Sequence, residues 1–129
     1  MAVTSQTIQD GPKNAIMKFT NIGDAESAVV KVDVSALSAD PILGACTSVR
    51  IEKIWYDVSG MTVEILWDAD TDVMCFILGT GQHEFDFRPF GGLTNNAGAG
   101  KTGDIRFTTL DAAGNDSYTI VLGLLKNYG

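Results

Sequence analysis

Histidine and cysteine are almost missing from this chain. His83, Cys46 and Cys75 are the whole supply of imidazole and thiol. These are the side chains most used as general base, nucleophile and transition-metal ligand. His83 has no obvious serine, cysteine or acid partner nearby in sequence. A triad would have to be assembled in space, because triads do not follow chain order. The expectation is a chain that is not an enzyme, with no cofactor. The two thiols are lone and far apart in sequence, so a disulfide framework is not expected. They are expected to be buried as small apolar groups.

Charge is also scarce, at 19% of residues, which is low for an ordinary soluble domain. Part of the surface must therefore be uncharged, either as Thr, Ser, Asn and Gly in loops or as an assembly contact. The net charge is −7, from 9 basic and 16 acidic side chains. The basic residues are spread singly, so there is no footprint to neutralise a phosphate backbone. That argues against nucleic acid as a direct partner. A basic protein surface is compatible with the acidity, although acidity also serves solubility. No apolar run approaches the roughly 18 residues that span a bilayer, so no membrane partner is expected. The start, Met1 to Ser5, lacks the basic and apolar regions of a signal peptide. Synthesis in the cytoplasm is expected.

What the sequence does contain is short runs of period two. The length of 129 residues fits one domain with one core. Residues 1–11 are polar and short of anchors, and are expected to form an N-terminal arm or an edge strand. Residues 12–129 are expected to form a single domain. Asn14 to Asn21 reads as the first strand of that domain. In Ala28 to Val34, Val30, Val32 and Val34 are expected on one face, with Lys31 and Asp33 on the other. Pro41 breaks the pattern, so Ser35 to Gly44 reads as a loop or short helical turn. Thr47 to Val58 is the longest strand, and its apolar phase switches near Lys53 and Ile54. A β-bulge would produce that switch. Ser59-Gly60 reads as a hairpin turn.

Met61 to Asp68 follows, with Val63, Ile65 and Trp67 inward, and then Val73 to Leu78 and Glu84 to Arg88. Pro89 to Gly103 is a long irregular loop rich in Gly and Asn. Ile105 to Thr109 and Tyr118 to Leu124 complete the set, with Gly114 expected as the left-handed residue of the turn between them. The pattern predicts an all-β chain: a compact antiparallel β-sandwich, jelly-roll-like, of about eight strands joined as a meander.

Several motifs fail their own criteria. Gly98-Ala99-Gly100-Lys101-Thr102 has the end of a phosphate loop, but Asn95 stands where the first glycine belongs. A strand, not a helix, is expected to follow. Asp68, Asp70 and Asp72 have the spacing of a calcium loop, yet Val73 and Gly79 replace its glycine and glutamate. They read as turn residues, with a weak cation site as the alternative. Glu64, Glu84 and Asp86 fall on polar strand faces, where no activation is expected.

The aromatics are more informative. Trp55 and Tyr56 are adjacent, so on a strand they face opposite sides. One packs the core and the other is exposed or covered by a neighbouring subunit. Phe90 lies just past the end of a strand. Aromatic anchors are enriched at interface centres, which makes Trp55, Tyr56 and Phe90 interface candidates. Asn95, Asn96 and Lys101 of the glycine-rich loop join them. No catalytic, cofactor-binding or metal-ligating residue is assigned.

The stretch from Phe85 to Thr109, FDFRPFGGLTNNAGAGKTGDIRFTT, together with Val30 to Leu37 and Ile54-Trp55, resembles a group of small structural proteins encoded by tailed phages of aquatic bacteria. The resemblance covers nearly the whole chain and brings no catalytic residues with it. It implies a virion component assembled in the host cytoplasm, in the manner of a capsid decoration (cement) protein on the outer capsid surface. The partner it implies is the major capsid protein, and the implied oligomer is a trimer. A neck, tail or fibre component is the alternative within that setting. A carbohydrate-binding attachment module, with Trp55 or Tyr56 as its platform, is the second alternative.

Overall fold

The computed structural model describes residues 2–112 and 114–128; the side chains of Ala2 and Phe90 fall outside the description. Nine strands are formed among these residues: β1 (Ala2–Asp10), β2 (Asn14–Ile22), β3 (Val29–Val32), β4 (Cys46–Ser59), β5 (Thr62–Trp67), β6 (Val73–Leu78), β7 (Gly81–Asp86), β8 (Ile105–Leu110) and β9 (Ser117–Tyr128). Short 3-10 turns at Val34–Ala36 and Arg88–Phe90 are the helical elements among the described residues. None of the described helices is long and apolar enough to cross a membrane.

The strands form two antiparallel sheets, ordered β1-β2-β9-β4-β7 and β3-β8-β5-β6. The pairing explains the order. β2 pairs with β9, β3 with β8, β4 with β7 and β5 with β6. This is one long antiparallel ribbon whose tip is the β5–β6 hairpin. Wound around a core, the ribbon brings β9 against β4 and β5 against β8, which completes both sheets. That winding is the jelly roll, with β1 added outside β2.

The core lies between the sheets because period two buries every other residue. Ile54 and Ile120 from the first sheet meet Val63, Ile65, Trp67, Ile105 and Phe107 from the second, all fully or nearly fully buried. Phe19 and Phe107 cross edge-to-face at 5.3 Å between ring centres, and Phe107 meets Tyr118 at 5.9 Å. Phe76, Phe85, Phe87 and Tyr56 fill the side near β6 and β7 with further ring contacts. Edge-to-face and offset rings suit the aromatic quadrupole.

The expected bulge in β4 is present: the pairing with β9 shifts between Ile51 and Lys53. Val49 and Ile51 are buried before it, and Ile54 and Val58 after it. Two expectations are corrected. Ser59-Gly60 does not close a hairpin, because β4 and β5 belong to different sheets; it is the corner where the chain changes sheet, and the strands are not a meander. Lys31 does not share an outer face with Asp33, because a second bulge between Val30 and Val32 turns it inward. At the β8–β9 turn Gly114 has the expected positive φ, 21°, and Asp111 also takes the left-handed conformation, with φ 62°.

Two buried polar clusters fasten the sandwich. Lys31 forms an ion pair with Glu26, whose carboxylate also accepts from the Tyr118 hydroxyl and from Asn21 Nδ2 at 2.9 Å. Thr109 Oγ1 accepts from the Glu26 amide at 2.8 Å. Strands of both sheets are thereby tied at one end. Burial, followed by the bond to Glu26, pushes the Tyr118 hydroxyl far above its ordinary value. Elsewhere Lys126, with a fully buried side chain, pairs with Asp10 and donates to the Ser38 carbonyl at 3.1 Å. This pair pins the end of β1 to β9.

Candidate functional site

β1 differs from every other strand in having no covered face. Residues 3–9 are all exposed, although successive side chains point to opposite sides. Its register with β2 runs from Ala2↔Ile22 to Asp10↔Ala15, with an irregularity between Thr7 and Gln9. It is the terminal strand of its sheet, so its outer backbone edge has no partner strand among the described residues. Val3 is 43% exposed, Ile8 58% and the neighbouring Ile22 53%. These values leave an apolar component on a surface that β1 presents to solvent.

Exposed edges are normally blunted by charge, proline or shortness. β3 is four residues long, and β7 carries Glu84 and Asp86. β6 is apolar but spans only six residues and has an irregular register. β1 runs for nine residues, and Ala2 to Gln9 contains no charge and no proline. Its unpaired amides and carbonyls can accept another strand, the mode of recognition called β-augmentation.

A second feature lies on the outer face of the same sheet. After the bulge, Tyr56 turns inward and stacks on Phe85 at 5.9 Å, while Trp55 turns outward. The adjacent pair therefore divides as expected, with Trp55 on the surface side. The indole lies over Gly123, where an added Cβ would come within 3.5 Å of the ring. Lys53 Nζ sits 5.2 Å from the ring centre, a cation–π distance. Trp55 separates two shallow depressions. One, of about 360 Å³, is lined by Tyr56, Asp57, Gln82, His83 and Thr119. The other, of about 300 Å³, includes Asn14, Glu52, Lys53, Arg88 and Leu124.

The remaining expected residues disperse. Asn95 and Lys101 line a third cleft, away from Trp55, while Asn96 is exposed and is not part of that lining. The Phe90 side chain lies outside the described residues. Arg50, which also lines the third cleft, was not flagged by the sequence pattern. The carboxylates of the calcium-like run do not converge on a vacant centre. Arg106 holds Asp68 at 3.0 Å and Asp72 at 3.5 Å, so the chain supplies its own cation there. No group of three or more His, Cys, Asp or Glu side chains among the described residues is placed to hold a metal ion. His83 lies against Tyr56 and Phe85, at 5.9 and 6.2 Å between ring centres. Burial raises both thiols, Cys75 to about 12, which disfavours the reactive thiolate.

Comparison with known protein families, with curated proteins and with solved structures gives no match.

Proposed function

We propose that this chain is a non-enzymatic decoration protein that binds the major capsid protein on the outer surface of a phage particle and stabilises the lattice, acting as a trimer. The observation that carries the reading is β1: nine residues long, uncharged from Ala2 to Gln9, exposed on both faces and open along one backbone edge. Such a strand is a liability in a protein meant to stay alone. It is useful in one that must add a strand to a neighbour or lie along it. The sequence resemblance supplies the setting. A fold alone does not assign a function, but the jelly roll is a common architecture of capsid-associated domains. Repeating one modest contact around a symmetric trimer would provide avidity without a deep pocket.

The test removes residues 2–8 and retains Asp10, because Asp10 partners the buried Lys126. The truncated protein should keep its circular dichroism spectrum and cooperative unfolding while losing co-sedimentation with phage particles. Undiminished co-sedimentation would reject the edge-strand reading. Solution mass tests the trimer, and a monodisperse monomer at high concentration would count against it.

A carbohydrate-binding reading is favoured by one observation, the outward indole of Trp55 bordered by Asp57, Gln82 and Thr119. Sugars stack on such rings while their hydroxyls meet polar neighbours. Glycan-array binding that disappears on Trp55→Ala would support it, and an array without signal would remove it.

A further inference from the structure

The third cleft is built by an arch. The chain after Arg88–Phe90 is clamped to the first half of β4 at two points. Ile51 and Leu93 exchange both backbone hydrogen bonds, at 3.1 and 2.8 Å. Ten residues later Gly103, with φ +89°, approaches so closely that an added Cβ would lie 2.1 Å from the Thr47 carbonyl oxygen. Between these clamps the loop stands away from the strand. The space beneath it measures about 490 Å³ and is lined by Ser48, Arg50, Thr94, Asn95, Lys101 and Asn127, among others.

The lining has a definite chemistry. It contains two cations and several hydroxyl and amide groups, and no carboxylate, in a chain whose net charge is −7. Five of the nine basic residues form ion pairs: Lys31, Lys53, Arg88, Arg106 and Lys126. Of the four without an ion pair among the described residues, two, Arg50 and Lys101, meet at this cleft. Arg50 Nε and Asn95 Nδ2 are shielded from solvent, yet neither has a hydrogen-bond acceptor among the described residues. Buried donors are almost always satisfied, and leaving them bare is costly. Asn95 is held in place by its other end, where Oδ1 accepts from the Ala97 amide at 3.0 Å.

We propose that this cleft binds an oxyanion, with the Arg50 guanidinium as the principal donor, Lys101 closing the charge from the loop, and the shielded Asn95 Nδ2 swinging in as the anion enters. A guanidinium fork matches the paired oxygens of carboxylate, phosphate or sulfate. This is not a phosphate loop: Gly98 to Thr102 runs into strand β8 with no helix N-terminus behind it. The site also stands apart from β1 and Trp55, so it does not depend on the decoration reading.

The experiment titrates the intact protein separately with inorganic phosphate, sulfate and acetate at constant ionic strength. Proton–nitrogen spectra report on the Arg50 Nε–H and the Asn95 side-chain amide. At least one anion should saturate both signals with half-saturation near or below about 1 mM. The anion that does so identifies a tetrahedral or a planar ligand. Arg50→Gln should weaken that binding by at least about tenfold, the loss of one charge-assisted bond. Asn95→Asp keeps the acceptor for Ala97 but places a carboxylate in the cleft. It should abolish binding of the added anion and leave the fold at least as stable. Absence of saturation with all three anions, or equal binding by wild type and Asn95→Asp, would overturn the proposal.

Discussion

Removing the charge of Lys31 should expose how much the sandwich depends on a buried ion pair that lies off the expected face. Lys31 and Glu26 have side chains only 2% and 4% exposed. In Lys31→Met the aliphatic volume is kept and the ammonium is lost. The Glu26 carboxylate retains the Tyr118 hydroxyl and Asn21 Nδ2 as donors but has no counter-charge. Stranding one member of a buried pair costs about 3–5 kcal/mol. Total stabilities of such domains are about 5–15 kcal/mol, so the loss is a large fraction of what holds the fold. The double variant Lys31→Met/Glu26→Gln removes the stranded charge and leaves an oxygen to accept from Tyr118. Its loss should fall below about 2 kcal/mol. Lys18→Met, at a lysine with no ion pair among the described residues, should stay within about 0.5 kcal/mol. Urea unfolding read by tryptophan fluorescence measures all three, provided the slopes agree. A Lys31→Met cost below about 1 kcal/mol, or a double variant no more stable than the single, would refute the reasoning.

Three further outcomes are expected. At Asp10, burial acts to raise the carboxyl, but bonds from Lys126 and Ser38 outweigh it and hold the group below its ordinary value of 3.8. Its stabilising contribution is therefore present above 3.8 and is lost as pH falls through the lower folded-state value; Asp10→Asn should remove that part of the acid transition, and identical acid-unfolding curves would contradict this. Cys75, raised to about 12 by burial, and Cys46, raised for the same reason, should resist iodoacetamide at about pH 8 in the folded protein and react in urea, whereas labelling of the native protein at the rate of a free thiol would contradict the burial. Gly103→Ala should cost about 2 kcal/mol or more, since it combines a left-handed backbone with a contact on the Thr47 carbonyl; Gly98→Ala, with nothing within 4 Å, should be near neutral, and equal thermal midpoints for the two would refute the arch.

The legible part of the fold was local. Alternation placed most strands, Val73–Leu78 emerged with its observed bounds, and the change of apolar phase near Lys53 and Ile54 announced the bulge in β4. The connections between strands were not legible. Ser59-Gly60 has the composition of a hairpin turn, but whether two strands pair or cross between sheets depends on partners distant in sequence, here β9 for β4 and β8 for β5. Lys31 misled because a bulge in a four-residue strand leaves no run long enough to show a change of phase. Glu26 lies between β2 and β3, outside any apolar alternation that would signal its burial. Among the candidate residues, the division of Trp55 from Tyr56 followed from adjacency on a strand. The β1 edge was visible as a scarcity of anchors. Arg50 was hidden, because apart from Thr47 and Ser48 its neighbours in the cleft lie more than forty positions away, in the loop and in β9.

The most direct test of a decoration role is the number of copies of this chain in purified phage particles, measured by quantitative mass spectrometry against the major capsid protein. On the order of hundreds of copies, in a simple ratio to the capsid protein, is the predicted result for a molecule repeated across a symmetric lattice. A handful or a few dozen would contradict the lattice assignment and move the chain to the neck, tail or fibre, and its absence from the particle would contradict a virion role altogether.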